Sequence, residues 1–310
     1  MPNKIYVLVG CNGIGDVLSS GPMIKKLHKI YNKKINVFTY APEIYKNVPY
    51  VEIVDNFDRS EGNLAIESFA INKFIHCRND IRQIHAMAAG FQLTPQEMQV
   101  DFYPDEYKKI EELPKDYIVI HPSKSWPSRT WHKNYWDDLV ERLNAKNVAV
   151  VVVGKDSGEV GTFKIKKPVY QINPKIGLNL VNKINLHQTW HVLNKARLVI
   201  TMDSGILHLA GTTDTQIIQL GSSVNPYFRI PYRNGSQEYK HIYVSGKCAL
   251  MCASDMKYNI QHNGNHKIMP PVAFCLENQS SIGKDLDFNP DVYACHPSVD
   301  QVFKETLKFL

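Results

Sequence analysis

No apolar run in this 310-residue chain approaches the roughly 20 residues a helix needs to span a bilayer. The opening "MPNKIYVLVG" passes straight into a strand and lacks the charged, apolar and cleavage regions of a secretory leader. A cytoplasmic protein is therefore expected. Arg-rich segments with interleaved aromatics are missing, so nucleic acid is not the expected partner. No repeat of 20–50 residues and no low-complexity tract interrupts the chain, which argues against a solenoid or array. Cysteine is sparse, at positions 11, 77, 248, 252, 275 and 295, and a cytoplasmic setting argues against stable disulfides. Cys248 and Cys252 are the one close pair. With no second close pair, buried thiols are expected, and a metal held by Cys248, Cys252, Cys275 and Cys295 is the alternative.

What remains is a globular composition, 44% hydrophobic and 21% charged, with a mild net charge of +6. Five of the lysines, Lys25, Lys26, Lys29, Lys33 and Lys34, gather in "IKKLHKIYNKK", with Ile24, Leu27 and Tyr31 at helical spacing opposite them. A solvated helix face accounts for such a cluster. The alternative is an anionic partner, a phosphorylated glycan or a membrane surface, which would place the protein peripherally at the inner membrane face.

The length suits two domains, and the pattern supplies two α/β series. In the first, "KIYVLVG", "INVFTY", "VEIVDNF" and "KFIHC" read as strands, with a basic helix after the first and a helix opening on Asp80 after the last. Pro104 and Pro114 bracket a linker. In the second, "DYIVIH", "VAVVVVG", "RLVITM" and "TQIIQLG" read as strands separated by helices, and "SVDQVFKETLKFL" as a final helix capped by Ser298. Two Rossmann-like domains follow, 1–112 and 113–310, the last helix packing back on the first domain. Open parallel sheets bind ligands beyond the carboxyl ends of their strands, so the site belongs in a cleft between the two.

The strand-end loops carry polar chemistry. "DSGILHLAGT" follows a strand and opens a helix: Asp203 or Ser204 is placed to cap it, Gly205 leaves its N–H groups approachable, and His208 lies one turn on. "HPSKSWPSRTW" offers Ser123, Lys124 and Arg129 to a diphosphate, Arg129 being able to clamp two oxygens. Gly154 ends a strand, with Asp156 or Glu159 beyond it to accept from a sugar or nucleoside hydroxyl, and Gly221 and Ser222 end the last strand. Trp131, Tyr135 and Trp136 share a helical face and are expected in the core. The first loop, "GCNGIGDVLSSGP", sets an acid where a phosphate loop would not. Its G-x-x-G-x-G spacing is not the dinucleotide G-x-G-x-x-G, and a nicotinamide enzyme would leave the second-half loops unexplained. Asp16 reads either as a functional carboxylate or as a helix cap, with Pro22 consistent with a helix beginning near Ser20.

Three of these stretches, "GDVLSSGP" (15–22), "PSRTWHKNYWDDL" (127–139) and "DSGILHLAG…QLGSS" (203–223), resemble the ADP-heptose:lipopolysaccharide heptosyltransferases. The resemblance implies a GT-B fold, a nucleotide-sugar donor on the C-terminal domain with ADP-sugar leading, no required cofactor or metal, and transfer with inversion to a glycan or glycolipid. By it, Asp16 matches the catalytic carboxylate, with Gly13 and Gly15 on the acceptor side. Arg129 matches a basic residue that contacts the donor phosphate, and Asp203, Ser204, Gly205 and His208 match the diphosphate- and sugar-binding helix start. The first half is short for the family, so the acceptor need not be a lipopolysaccharide core. A nucleotide-sugar-binding module without transfer activity is the alternative function.

Overall fold

A computed structural model describes residues 1–11, 13–68, 79–123, 127–155, 169–248, 251, 274–275, 280–281 and 293–310. The apolar runs become strands of two all-parallel sheets. The first has the order β3-β2-β1-β4, from β1 (Ile5–Val9), β2 (Ile35–Thr39), β3 (Val51–Ile53) and β4 (Leu64–Ser68). The second has the order β10-β9-β8-β5-β6-β7, from β5 (Tyr117–His121), β6 (Ala149–Val152), β7 (Gly177–Asn179), β8 (Leu198–Thr201), β9 (Gln216–Leu220) and β10 (His241–Val244). β5, β6 and β8 are buried along their whole length, as parallel strands covered on both faces must be.

Helix α1 (Ile14–Tyr31) starts on the backbone of Gly13 and places Asp16 in its first turn, where the helix dipole favours a negative charge. It ends at Asn32, whose left-handed backbone (φ 51°) returns its N–H to the His28 carbonyl. The helix does not wait for Ser20. Pro22 lies inside it, forgoing one backbone hydrogen bond, while Val17, Leu18, Met23 and Ile24 bury against the sheet. In α2 (Ile81–Ala88) the Asp80 carboxylate accepts from Arg82 N, as a cap should. β4, "LAIES", β7 and β10 are strands without a clear apolar signal, and "KFIHC" lies outside the described residues.

α3 (Lys133–Ala145), α4 (Leu186–Lys195), α5 (Gly205–Ala210) and α6 (Val299–Thr306) belong with the second sheet. Ser298 caps α6 in a reciprocal box with Gln301. This last helix does not return to the first lobe. Val299 and Val302 fill a core with Trp131 and Trp136, both 0% exposed, and the Trp131 indole donates to Pro297 O at 2.9 Å. Three of the five clustered lysines are tied down by their own chain. Lys25 pairs with Asp101, Lys26 with Glu97 at 2.9 Å, and Lys33 donates to Pro2 O at 2.8 Å. No described helix is long and apolar enough to cross a membrane.

Candidate active site between the two lobes

α1 begins at the carboxyl end of β1 and α5 at the carboxyl end of β8, and the two helices meet. A Cβ added at Gly15 would lie 2.7 Å from His208 Cδ2, and one at Gly205 would lie 3.0 Å from Ile14 Cβ. The carboxyl edges of both sheets therefore converge on one place, as doubly wound sheets require of a site. Contact, not a gap, is what the glycines provide here. Gly15 and Gly205 let α1 and α5 approach, and the side of Gly205 expected to face an anion is filled by Ile14 and Gly15. Gly15→Ala is expected to lower the melting temperature by wedging the lobes apart. Gly21→Ala, in the same helix with open space around its new methyl, is expected to raise it.

The charged groups gather beside that contact. Arg129, at the end of a short turn (Pro127–Arg129), sends Nη1 to Asp203 Oδ2 at 3.1 Å. Arg229 Nε lies 3.6 Å from the same oxygen, and Arg229 and Asp203 are 3% and 2% exposed. Burial alone would raise the Asp203 pKa, but the two guanidinium groups outweigh it and hold the carboxylate below its ordinary range. Asp16 is the opposite case. Burial pushes its pKa up and the Asp203 charge adds to this, while Arg229 and Arg129 only partly counter it. Its side chain keeps partial exposure and bends back over Gly13, where an added Cβ would meet Oδ2 at 2.6 Å. Two carboxylates of opposite tendency thus feel the same two guanidinium charges, and only Asp203 is paired with them.

The remaining predicted residues sort by what they touch. Ser204 stands at the N-cap position of α5 without capping it; its hydroxyl is 3.1 Å from His121 Nδ1 and 3.0 Å from Thr201 Oγ1. His208 faces α1, with Nδ1 3.5 Å from Ser19 Oγ, and burial lowers its pKa to about 3, so the ring is neutral at pH 7. Ser123 is buried at the end of β5. Gly154, with φ +150°, packs on Val169 and near His121, a left-handed conformation that suits glycine. Gly221 packs on Ser245 and the Cys295 carbonyl. Ser222 Oγ accepts from Val224 N at 3.2 Å. These two hold the strand-end loop together, and Ser223 Oγ joins it to the Arg129 turn through Ser128 at 2.8 Å. Lys124 and Glu159 lie outside the described residues, as does Cys252. Cys275, Cys295 and Cys248 share one small apolar cluster, and among the described residues no three His, Cys, Asp or Glu side chains are grouped to hold a metal ion.

Sequence reasoning passed over Arg229 and His121. His121 is the last residue of β5 and Arg229 lies in the loop beyond β9, where a histidine closing "YIVIH" and an arginine in "NPYFRIPY" are the available signals. Burial lowers the His121 pKa to about 3, which keeps it a neutral partner for Ser204.

Two parallel α/β lobes joined at their strand ends define a GT-B fold. A family model for glycosyltransferase family 9 (heptosyltransferase) matches residues 70–254, more than half of the chain, and the chain belongs to that family. It is 25% identical over 105 residues to lipooligosaccharide heptosyltransferase 2 of Haemophilus influenzae, which covers 34% of this chain and 30% of the relative. The same fold is found in the iron-containing dodecameric glycosyltransferase TibC of enterotoxigenic E. coli H10407. There the TM-score is 0.68 at 12% identity, over 99% of this chain and 76% of TibC. TibC has also been solved, as a heptosyltransferase, with ADP-D-β-D-heptose, with a TM-score of 0.68 at 12% identity over 98% of this chain and 76% of TibC. The matches span less than half the length of the curated relatives, 30% to 42%.

Proposed function

We propose that this chain transfers a heptosyl group from an ADP-heptose donor to a hydroxyl of a glycan or glycolipid, with inversion and with Asp16 as the base. The observation that carries this reading is that Asp16, from the first lobe, stands at the contact of α1 with α5 and within electrostatic reach of Arg229, Arg129 and Asp203 of the second. In an inverting displacement the acceptor oxygen forms its bond to the anomeric carbon as its proton passes to a carboxylate. The bond from that carbon to the diphosphate oxygen breaks, and both its electrons leave with the nucleotide. A carboxylate whose pKa is raised is a stronger base than a free one, and it must be ionised to act. Arg129 and Arg229 are the fixed positive charges that would take up the charge growing on the departing diphosphate. Asp203 holds both guanidinium groups in place and leaves the cluster one net positive charge for the donor.

Family membership and TibC's complex with ADP-heptose support the choice of donor. Iron, which TibC contains, would need a donor set that the described residues do not assemble by themselves, and no step of the transfer is assigned to it. Cys248, Cys275 and Cys295 pack near one another, and Ala294 N lies 3.5 Å from Cys275 Sγ.

A thermal-shift panel of nucleoside diphosphates tests the donor. ADP at about 100 times its dissociation constant should stabilise the fold by ~2.7 kcal/mol, and GDP and UDP should do so less at equal concentration. A larger shift with UDP or GDP would refute the adenine assignment. Tight ADP binding with no turnover on any glycan acceptor would favour the binding module.

A further inference from the structure

Helix α2 carries two buried side chains that the transfer chemistry above does not use. Arg82 and His85 are three residues apart, so they share one face of the helix, and both are 0% exposed. His85 reaches into the first turn of α1, where its Nε2 lies 3.1 Å from the main-chain oxygen of Asp16. A carbonyl oxygen can only accept, so Nε2 carries the proton, and Nδ1 accepts from the buried hydroxyl of Ser68 at the end of β4. Burial lowers the His85 pKa to about 3, so this neutral tautomer persists at pH 7. Arg82 reaches the other lobe. Its Nη1 donates to Ile230 O at 2.9 Å, one residue after Arg229, and its guanidinium centre lies 4.7 Å from the Tyr232 ring centroid. Asp80 neutralises it through Nε at 2.8 Å and through a second, shorter bond from Nη2.

We propose that α2 is a spacer that fixes the distance between base and cations: His85 and Arg82 are positioning residues, the first for Asp16 and the second for the loop of Arg229. The physical case is one of reach. Asp16 and Arg229 belong to different lobes, and a single two-turn helix grips the main chain at one and beside the other. A carboxylate that slips by an ångström loses the alignment on which the reaction rate depends. An arginine buried under two carboxylate bonds and an aromatic face has little freedom to yield. Ser68, at the far end of the hydrogen-bonded chain, donates to Nδ1 and anchors the ring in the tautomer that the Asp16 carbonyl selects.

This inference rests on the proposed transfer reaction, and its test separates the two. Full-length wild type and the variants His85→Leu, His85→Gln, Ser68→Ala and Arg82→Met are compared for ADP release from ADP-heptose with acceptor, for ADP affinity by calorimetry, and for melting temperature. His85→Leu is expected to lower kcat at least tenfold while donor KM and ADP affinity stay within twofold. His85→Gln, whose amide can donate from nearly the position of Nε2, is expected to recover most of that loss. Ser68→Ala keeps the ring but removes its second anchor and should lower kcat about threefold, and it serves as the readout if the leucine variant does not fold. Arg82→Met is expected to weaken ADP binding at least fivefold. Wild-type kcat in His85→Leu or in Ser68→Ala, a glutamine variant as impaired as the leucine one, or wild-type ADP affinity in Arg82→Met would each overturn the spacer. Turnover that survives Asp16→Asn, or a wild type that binds neither ADP nor ADP-heptose, would instead overturn the reaction beneath it.

Discussion

Asp16→Asn should lower kcat by about 10²–10⁴-fold with saturating donor and acceptor, the range that a positioned general base contributes. ADP affinity should stay close to wild type. Stability should not fall. The folded protein raises the Asp16 pKa, so the protonated form is the one the fold prefers. That preference is fully present below the unfolded carboxylate pKa and is lost as pH rises through the folded value. At pH 7 the ionised carboxylate therefore costs stability, and asparagine removes the cost while keeping the shape. Loss of turnover separates a base from a structural cap, because asparagine caps about as well as aspartate and would leave a capping role intact. Near-normal turnover would end the assignment. In wild type the acid limb of the kcat/KM profile should fall above the ordinary carboxylate range, because Asp16 must be ionised to accept the proton.

Asp203→Asn should be the most destabilising conservative change in the site. It leaves the buried Arg229 and the partly buried Arg129 without their shared counter-charge, and removing one partner of a buried pair costs about 3–5 kcal/mol. The pH dependence has the opposite sign to that of Asp16. The folded pKa of Asp203 is depressed, so its contribution is fully present above the unfolded value of about 3.9 and is lost as pH falls through the lower folded value. Chemical denaturation should show the largest gap between wild type and variant at pH 6–7, shrinking below pH 4. Any variant that remains folded should also shift the activity profile, because Asp203 helps to raise the Asp16 pKa. With that negative charge gone, the acid limb should move to lower pH. An acid limb that stays in place would mean that the two carboxylates do not sense one another.

The predicted elements that held are those with a strong local cause. "KIYVLVG", "DYIVIH" and "RLVITM" are apolar enough to be strands in almost any context, and Asp80 and Ser298 cap their helices as their positions imply. The strand "LAIES" was illegible because it carries a charge and only partial burial at the edge of its sheet. Pro22 misled because proline is usually a first-turn residue. Here the apolar stripe of α1, packed on the first sheet, outweighs the one hydrogen bond it forgoes. Gly15 and Gly205 are needed for the approach of α1 to α5, not for the approach of a ligand. A glycine that admits a ligand and one that admits a neighbouring helix look the same in sequence.

The amino-acid order by itself determined the two α/β series and the family resemblance and singled out Asp16, Arg129 and Asp203 as candidates, because period, turn chemistry and short motifs are local properties. The tertiary structure alone decided that Arg229 shares Asp203 with Arg129, that α5 begins against α1, and that α2 touches both lobes. These are contacts between residues far apart in the chain, 148 positions in the bond from Arg82 to Ile230 and 189 in the approach of Ser19 to His208. They depend on how two sheets pack through their strand ends, a geometry that no window of sequence contains.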